Sequence, residues 1–141
     1  MRTAIKTLEE NKNIYFLLVG DGELRPKLES IIHKHSLEKH IRILGWRKDV
    51  DHLLSITDVF MLTSLWEGLS VAILEAMAYK LPIIASNIKG NNELLVNGES
   101  GYLCEPNNIS DFHNKLSLLI KDRSLMTKIG ESGFKDRKSV V

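Results

Sequence analysis

Leu65-Trp66-Glu67-Gly68-Leu69-Ser70-Val71-Ala72-Ile73-Leu74-Glu75-Ala76-Met77-Ala78 is the stretch that decides how this chain reads, together with Val59-Phe60-Met61-Leu62 before it and Pro82-Ile83-Ile84-Ala85 after it. The two flanking runs are short, apolar and continuous, the pattern of strands buried on both faces. Between them, Ser70 to Tyr79 is almost entirely Ala, Leu, Ile, Met and Val, which predicts a helix. Strand, loop, helix and strand in that order form a βαβ unit, and so a parallel pair.

The same alternation extends in both directions. Upstream, Ala4, Ile5 and Leu8 mark one face of a helix. Ile14-Tyr15-Phe16-Leu17-Leu18-Val19, closed by Gly20-Asp21-Gly22, predicts another strand buried on both faces. Leu24, Leu28, Ile31 and Ile32 recur at helical spacing, with Pro26 tolerable in the first turn. Ile41 to Leu44 reads as a strand stopped by Gly45, and Val50, Leu53, Leu54 and Ile56 as a short helix. Downstream come a helical turn from Asn91 to Leu95 and a last strand from Gly101 to Cys104. A helix follows that Ser110 can cap and that carries Phe112, Leu116, Leu119 and Ile120. A final helix runs from Leu125 to Phe134. The charged stretch Lys135 to Ser139 is expected to fray.

The expected fold class is therefore α/β, a Rossmann-like three-layer sandwich with a mainly parallel sheet, as a single domain over residues 1–141. Ligands of such sheets bind beyond the carboxyl ends of the strands. The loops that matter are then 20–23, 45–48, 63–70, 86–92 and 105–108.

Bulk properties narrow the function classes. The 141 residues suit one domain, and a formal net charge of +1 with interspersed signs does not call for a nucleic-acid partner. No apolar run approaches the ~20 residues of a membrane span, and the first residues lack a signal-peptide pattern. Cys104 is the single cysteine, which predicts a core residue and a reducing, cytoplasmic setting. His33 and His35 diverge on a predicted helix, so no metal site is expected there. His40, His52 and His113 are isolated and read as surface or capping residues.

Glu67 and Glu75 carry the chemistry. A helical wheel places Glu75 beside Val71, Ala72 and Ala78, which predicts a buried carboxylate. Burial there costs several kcal/mol unless the group is hydrogen-bonded. A ribose diol could supply the bonds, and so could a structural Arg or Lys. Free amides near Leu69 to Val71 form a positive helix terminus suited to a diphosphate. Glu67 could reach a sugar hydroxyl, or stand solvated in its loop. Gly20-Asp21-Gly22 lacks the third glycine of a dinucleotide fingerprint, since Arg25 occupies that place, and a structural turn is the alternative reading.

The stretch from Ser64 to Ser86, with Glu67-Gly68, Glu75-Ala76-Met77-Ala78 and Pro82-Ile83-Ile84-Ala85-Ser86, resembles the signature of group 1 glycosyltransferases (family 4, GT-B fold). Val19-Gly20-Asp21-Gly22 is similar to that family's first glycine loop, and Leu44-Gly45-Trp46-Arg47 to the turn that holds the base. Asn97 to Leu103 and Pro106 are similar to its closing strand and loop. The resemblance implies that Glu75 binds ribose hydroxyls and Glu67 contacts the donor sugar in the catalytic site. Gly68, Leu69 and Ser70 would present amides to sugar and diphosphate, while Trp46 and Arg47 flank the base, with the Arg47 backbone reading its edge. Gly20 and Gly22 would let the chain pass close to the donor.

The resemblance further implies the C-terminal, donor-binding half of a retaining enzyme that uses a UDP- or GDP-sugar and needs neither metal nor cofactor. The acceptor would be a saccharide or a lipid-linked sugar, bound through a missing domain, with peripheral association of the full-length protein at the inner face of the membrane. Members of the family carry a strand and a phosphate-binding loop with an Arg and a Lys before the first helix seen here. Neither cation has a counterpart, so little turnover is expected of this chain alone. The competing reading is a non-catalytic nucleotide-binding or interaction domain of flavodoxin-like architecture.

Overall fold

Helices and strands alternate in the order the periodicity predicts. The computed structural model describes residues 1–140, which fall into two compact units, one spanning Met1–Val50 and a second from Asp51 onward. All the strand ladders are parallel, but they belong to two sheets, one of two strands and one of three. The expectation of one sheet is corrected accordingly.

In the first unit, α1 (Arg2–Glu10) is followed by β1 (Phe16–Val19), α2 (Arg25–Lys34) and β2 (Ile41–Gly45). β1 pairs with β2 from Phe16 opposite Ile41 to Leu18 opposite Ile43, then slips so that Val19 faces Gly45. Pro26 sits in the first turn of α2, where its missing N–H costs nothing. The core is Ala4, Leu8, Ile32, Leu37 and Ile41, with Phe16, Leu18 and Ile43 packed against it. β1 is not buried on both faces as its apolar run predicts. Phe16 and Leu18 turn to this core, while Leu17 and Val19 are exposed. Period-two geometry puts alternate side chains on opposite faces, and this core lies on one face only.

The second unit holds α3 (Val50–Ser55, starting at the boundary), β3 (Phe60–Leu62), α4 (Val71–Ala78), β4 (Ile83–Ser86), β5 (Tyr102–Cys104), α5 (Ile109–Lys121) and α6 (Arg123–Val140). The strand order is β3-β4-β5, with Phe60 opposite Ile83 and Ile84 opposite Tyr102. β4 is buried at all four positions, packed by both α4 and α5, so the double burial expected of Pro82–Ala85 is met here. Ile73, Met77, Ile83, Ile84, Leu119 and Ile129 form the centre of this core.

Three local expectations change. Asn108, not Ser110, caps α5, its Oδ1 accepting from the Asp111 amide at 3.0 Å. His113 is buried on the inner face of α5, five residues after the cap. The stretch expected to fray continues α6, and Arg137 Nε donates to the Leu74 carbonyl at 3.1 Å. That long-range bond, 63 residues apart in sequence, is invisible to local charge patterning.

α6 approaches the turn after α4 at Gly130. A Cβ at Gly130 would overlap the Lys80 carbonyl oxygen. Alanine favours helix over glycine by about 1 kcal/mol, whereas overpacking a tight contact costs about 1–3 kcal/mol. Gly130→Ala is therefore expected to lower stability by about 1–2 kcal/mol in a thermal or urea melt. An increase in Tm would show that α6 does not rest on this turn.

Candidate functional site

The loops at the carboxyl ends of the strands are held by short-range polar contacts. In the first unit, the Gly20 amide donates to the Gly45 carbonyl at 2.9 Å, so the ends of β1 and β2 are tied together. Both glycines have positive φ, 121° and 67°. Asp21 accepts from the Gly22 amide at 2.8 Å and from Arg25 Nη1 at 3.0 Å, and Arg25 Nε donates to Glu29 at 2.9 Å. The Gly22 amide first, and then Arg25, hold the Asp21 carboxyl below the usual aspartate range. Arg25, which stands where a dinucleotide fingerprint has glycine, thus clamps the loop instead.

Trp46 follows Gly45 and is 88% exposed. The Arg47 guanidinium makes a two-pronged ion pair with Asp49, at 2.7 and 2.6 Å, which raises its already high pKa. Its side chain is committed to a protein carboxylate. Gly22 differs from its neighbours: its φ is not in the left-handed region, and no protein atom lies within 4 Å of where a Cβ would stand. Nothing in the protein itself requires glycine at that position.

In the second unit, residues 63–70 connect β3 to α4. Ser64 Oγ donates to Glu67 Oε1 at 2.7 Å, which orients a half-buried carboxylate. Gly68 resembles Gly22, with open space around a built Cβ. Leu69 is exposed, and Ser70 is buried at the N-cap of α4 yet makes no side-chain cap bond. The contrast with α5, which its own Asn108 caps, leaves the first-turn amides of α4 without a side-chain acceptor.

Glu75 is not buried. α4 turns Ile73, Ala76 and Met77 inward, and the stripe Val71, Glu75, Tyr79 faces solvent. Four-residue spacing puts those three on one line of the helix. In so apolar a segment, the wheel could not tell which of two apolar faces meets the sheet. Neither the desolvation cost nor a structural cation applies. Among the described residues, the Glu75 carboxylate makes no hydrogen bond or ion pair.

Sequence reasoning named the loop 86–92 but singled out no residue in it. The structure does. Gly90 is buried at φ 93° directly beneath the backbone of Glu67 and Gly68. Asn91 is fully buried, and its Nδ2 donates to the Ser86 carbonyl at 3.0 Å. Gly90 next to Asn91, just past a strand, was the available signal for a tight turn. Cys104, at the end of β5, is buried, and burial together with the Asp111 charge pushes its thiol up to about 12. It is a protonated core residue.

The family described as "Glycosyl transferases group 1" matches residues 2–136. A UDP-Gal:alpha-D-GlcNAc-diphosphoundecaprenol alpha-1,3-galactosyltransferase of Escherichia coli is 44% identical over 126 residues, covering 86% of this chain and 33% of that protein. An uncharacterized glycosyltransferase of Methanocaldococcus jannaschii is 35% identical over 133 residues, covering 92% of this chain and 36% of that protein. The chain thus spans about a third of the length of these relatives. Among solved structures, the C-terminal domain of a group 1 family glycosyl transferase (LpcC) from Francisella tularensis superposes with a TM-score of 0.89 at 28% identity, covering 98% of this chain and 75% of that one. Anabaena HepE in complex with UDP-glucose gives a TM-score of 0.89 at 26% identity, covering 99% of this chain and 40% of that one.

The polar clamp of the first glycine loop has a pH signature. A carboxyl whose pKa is depressed by folding contributes stability above the ordinary aspartate pKa, and this is lost as pH falls through the lowered value. Asp21 is expected to titrate below the ordinary aspartate range in a carboxyl-carbon NMR titration. Arg25→Ala should recover only part of the shift, because the Gly22 amide still donates to the carboxyl. Full recovery in that variant would show that the amide bond does not hold the loop.

Proposed function

Since the chain belongs to the group 1 glycosyl transferases, we propose that it binds the UDP-sugar donor of a retaining transferase whose acceptor is a saccharide or a lipid-linked sugar. The observation that carries this reading is the second unit's arrangement at α4. A helix N-terminus without a side-chain cap follows a glycine that the protein itself does not require, and Glu75 lies on the exposed stripe with no partner among the described residues.

The roles follow from chemistry. The first-turn amides of α4 and those at Gly68, Leu69 and Ser70 suit a diphosphate, because their partial positive charge needs no metal to attract it. Glu75 can accept from both hydroxyls of a ribose diol, and charge-assisted bonds of this kind are worth about twice neutral ones. Glu67, oriented by Ser64, is the group for a sugar hydroxyl. In the first unit, Trp46 and the backbone at Arg47 take the base, and Gly20 and Gly22 leave room for the donor. UDP rather than GDP is favoured by the relatives, one named for UDP-Gal and another bound to UDP-glucose. The lipid-linked acceptor rests on the diphosphoundecaprenol in the first relative's name. No helix among the described residues is long and apolar enough to cross a membrane.

Calorimetric titration of the chain with UDP, GDP and a UDP-sugar tests these roles. Glu75→Gln is expected to weaken UDP about tenfold or more, the loss of a charged hydrogen-bond acceptor. Glu67→Gln should spare UDP and weaken only the UDP-sugar. Gly68→Ala should cost donor affinity without lowering Tm, since a Cβ there meets no protein atom. UDP affinity unchanged in Glu75→Gln would mean that this carboxylate does not hold the ribose.

A further inference from the structure

β4 delivers Ser86 to its carboxyl end, and the chain then turns on itself. The Asn87 amide donates to the Cys104 carbonyl at 2.7 Å, and the Asn91 amide to the Ile88 carbonyl at 3.2 Å. The buried Asn91 side chain closes the turn onto the Ser86 carbonyl at 3.0 Å. The loop is thus tied to β5, to β4 and to itself. Gly90 lies within it, buried, at a φ of 93° that favours glycine.

A Cβ built on Gly90 would overlap the Gly68 carbonyl oxygen, and would stand 3.0 Å from the Glu67 carbonyl oxygen and 3.1 Å from the Gly68 carbonyl carbon. Three backbone atoms crowd that point, and none can swing aside as a side chain would. The peptide units of Glu67 and Gly68 therefore rest on Gly90. The loop they belong to has little else to locate it: the Ser64–Glu67 bond is within the loop, and Ser70 makes no cap bond.

We infer that Gly90 is a positioning residue for the donor sugar. Its missing side chain sets how deeply the Glu67–Gly68 backbone sits against the tied loop below, and so where the Glu67 carboxylate and the Gly68 and Leu69 amides stand. The inference rests on the donor-site reading above, and adds to it a residue that makes no contact with the donor. Any side chain at position 90 lifts the upper loop by about 1 Å, and a misplacement of that size can cost about a hundredfold in rate.

Two readouts on Gly90→Ala test it. In the ligand-free chain, the amide resonances of Glu67 and Gly68 should shift strongly, while that of Gly98, in a separate turn, stays in place. Unmoved Glu67 and Gly68 resonances in a folded variant overturn the inference, whatever the chain binds. In calorimetry, UDP-sugar should weaken at least about tenfold, and by more than UDP, because both ligands lose the seating of the Gly68 and Leu69 amides and only the sugar also loses Glu67; equal weakening of both, or of neither, overturns it. Failure of the wild type to bind UDP counts against the donor-site reading, and the resonance shift still decides whether Gly90 seats the loop. If Gly90→Ala does not fold, hydrogen exchange on the wild type replaces it. UDP-sugar should slow exchange in residues 87–91 together with 67–70, and slowing confined to 67–70 overturns the inference.

Discussion

The burial of β4 on both faces is the constraint from which the second unit follows. A four-residue strand with every side chain inside must pair on both edges and be covered on both faces, or its apolar surface remains wet. β3 and β5 supply the edges, and α4 and α5 the cover. Once β3 and β4 lie parallel and adjacent, their carboxyl ends are neighbours. The loops 63–70 and 86–92 then leave the sheet side by side, and the contact of Gly90 with Glu67 and Gly68 is a consequence of strand order. The first unit obeys a weaker version of the rule. Its two strands share one core on one face, and β1 keeps Leu17 and Val19 exposed.

Glycines separate into two kinds once their surroundings are known. Gly90 and Gly130 are demanded by the protein, since a Cβ at either would overlap a backbone oxygen. Gly22 and Gly68 are not demanded by any neighbour or by a left-handed backbone. A glycine that folding does not need lowers stability by enlarging the unfolded ensemble. All four look alike in one dimension.

Glu75 shows how an expectation of burial drawn from composition can fail. The apolar composition around it suggested burial, and burial suggested that only a ligand could satisfy the acid. The helix instead presents Val71, Glu75 and Tyr79 to solvent and hides the opposite stripe. Among the described residues the carboxylate has no protein partner, whereas Asp21, Asp49 and Glu67 are each bonded to a neighbour. Arg47 is the converse case. Expected to flank a base beside Trp46, its side chain is paired with Asp49, two residues on, by a contact that adjacent charges in the sequence permit but do not announce.

Most of the secondary structure was legible in the amino-acid order, because periodicity and turn residues act locally: every strand and helix lies within a few residues of where the apolar pattern puts it. The parallel βαβ connection followed from the same patterns, and the family was recognisable from the run of motifs between Val19 and Pro106. What only the tertiary structure decided was which face of each element is wet, where the sheet divides, and which residues of distant loops touch. The exposure of Glu75, the tie from Arg137 to Leu74 and the seat of Glu67 on Gly90 all depend on contacts between segments far apart in the chain. Such contacts are selected by packing the whole core at once, and no local window of residues contains that information.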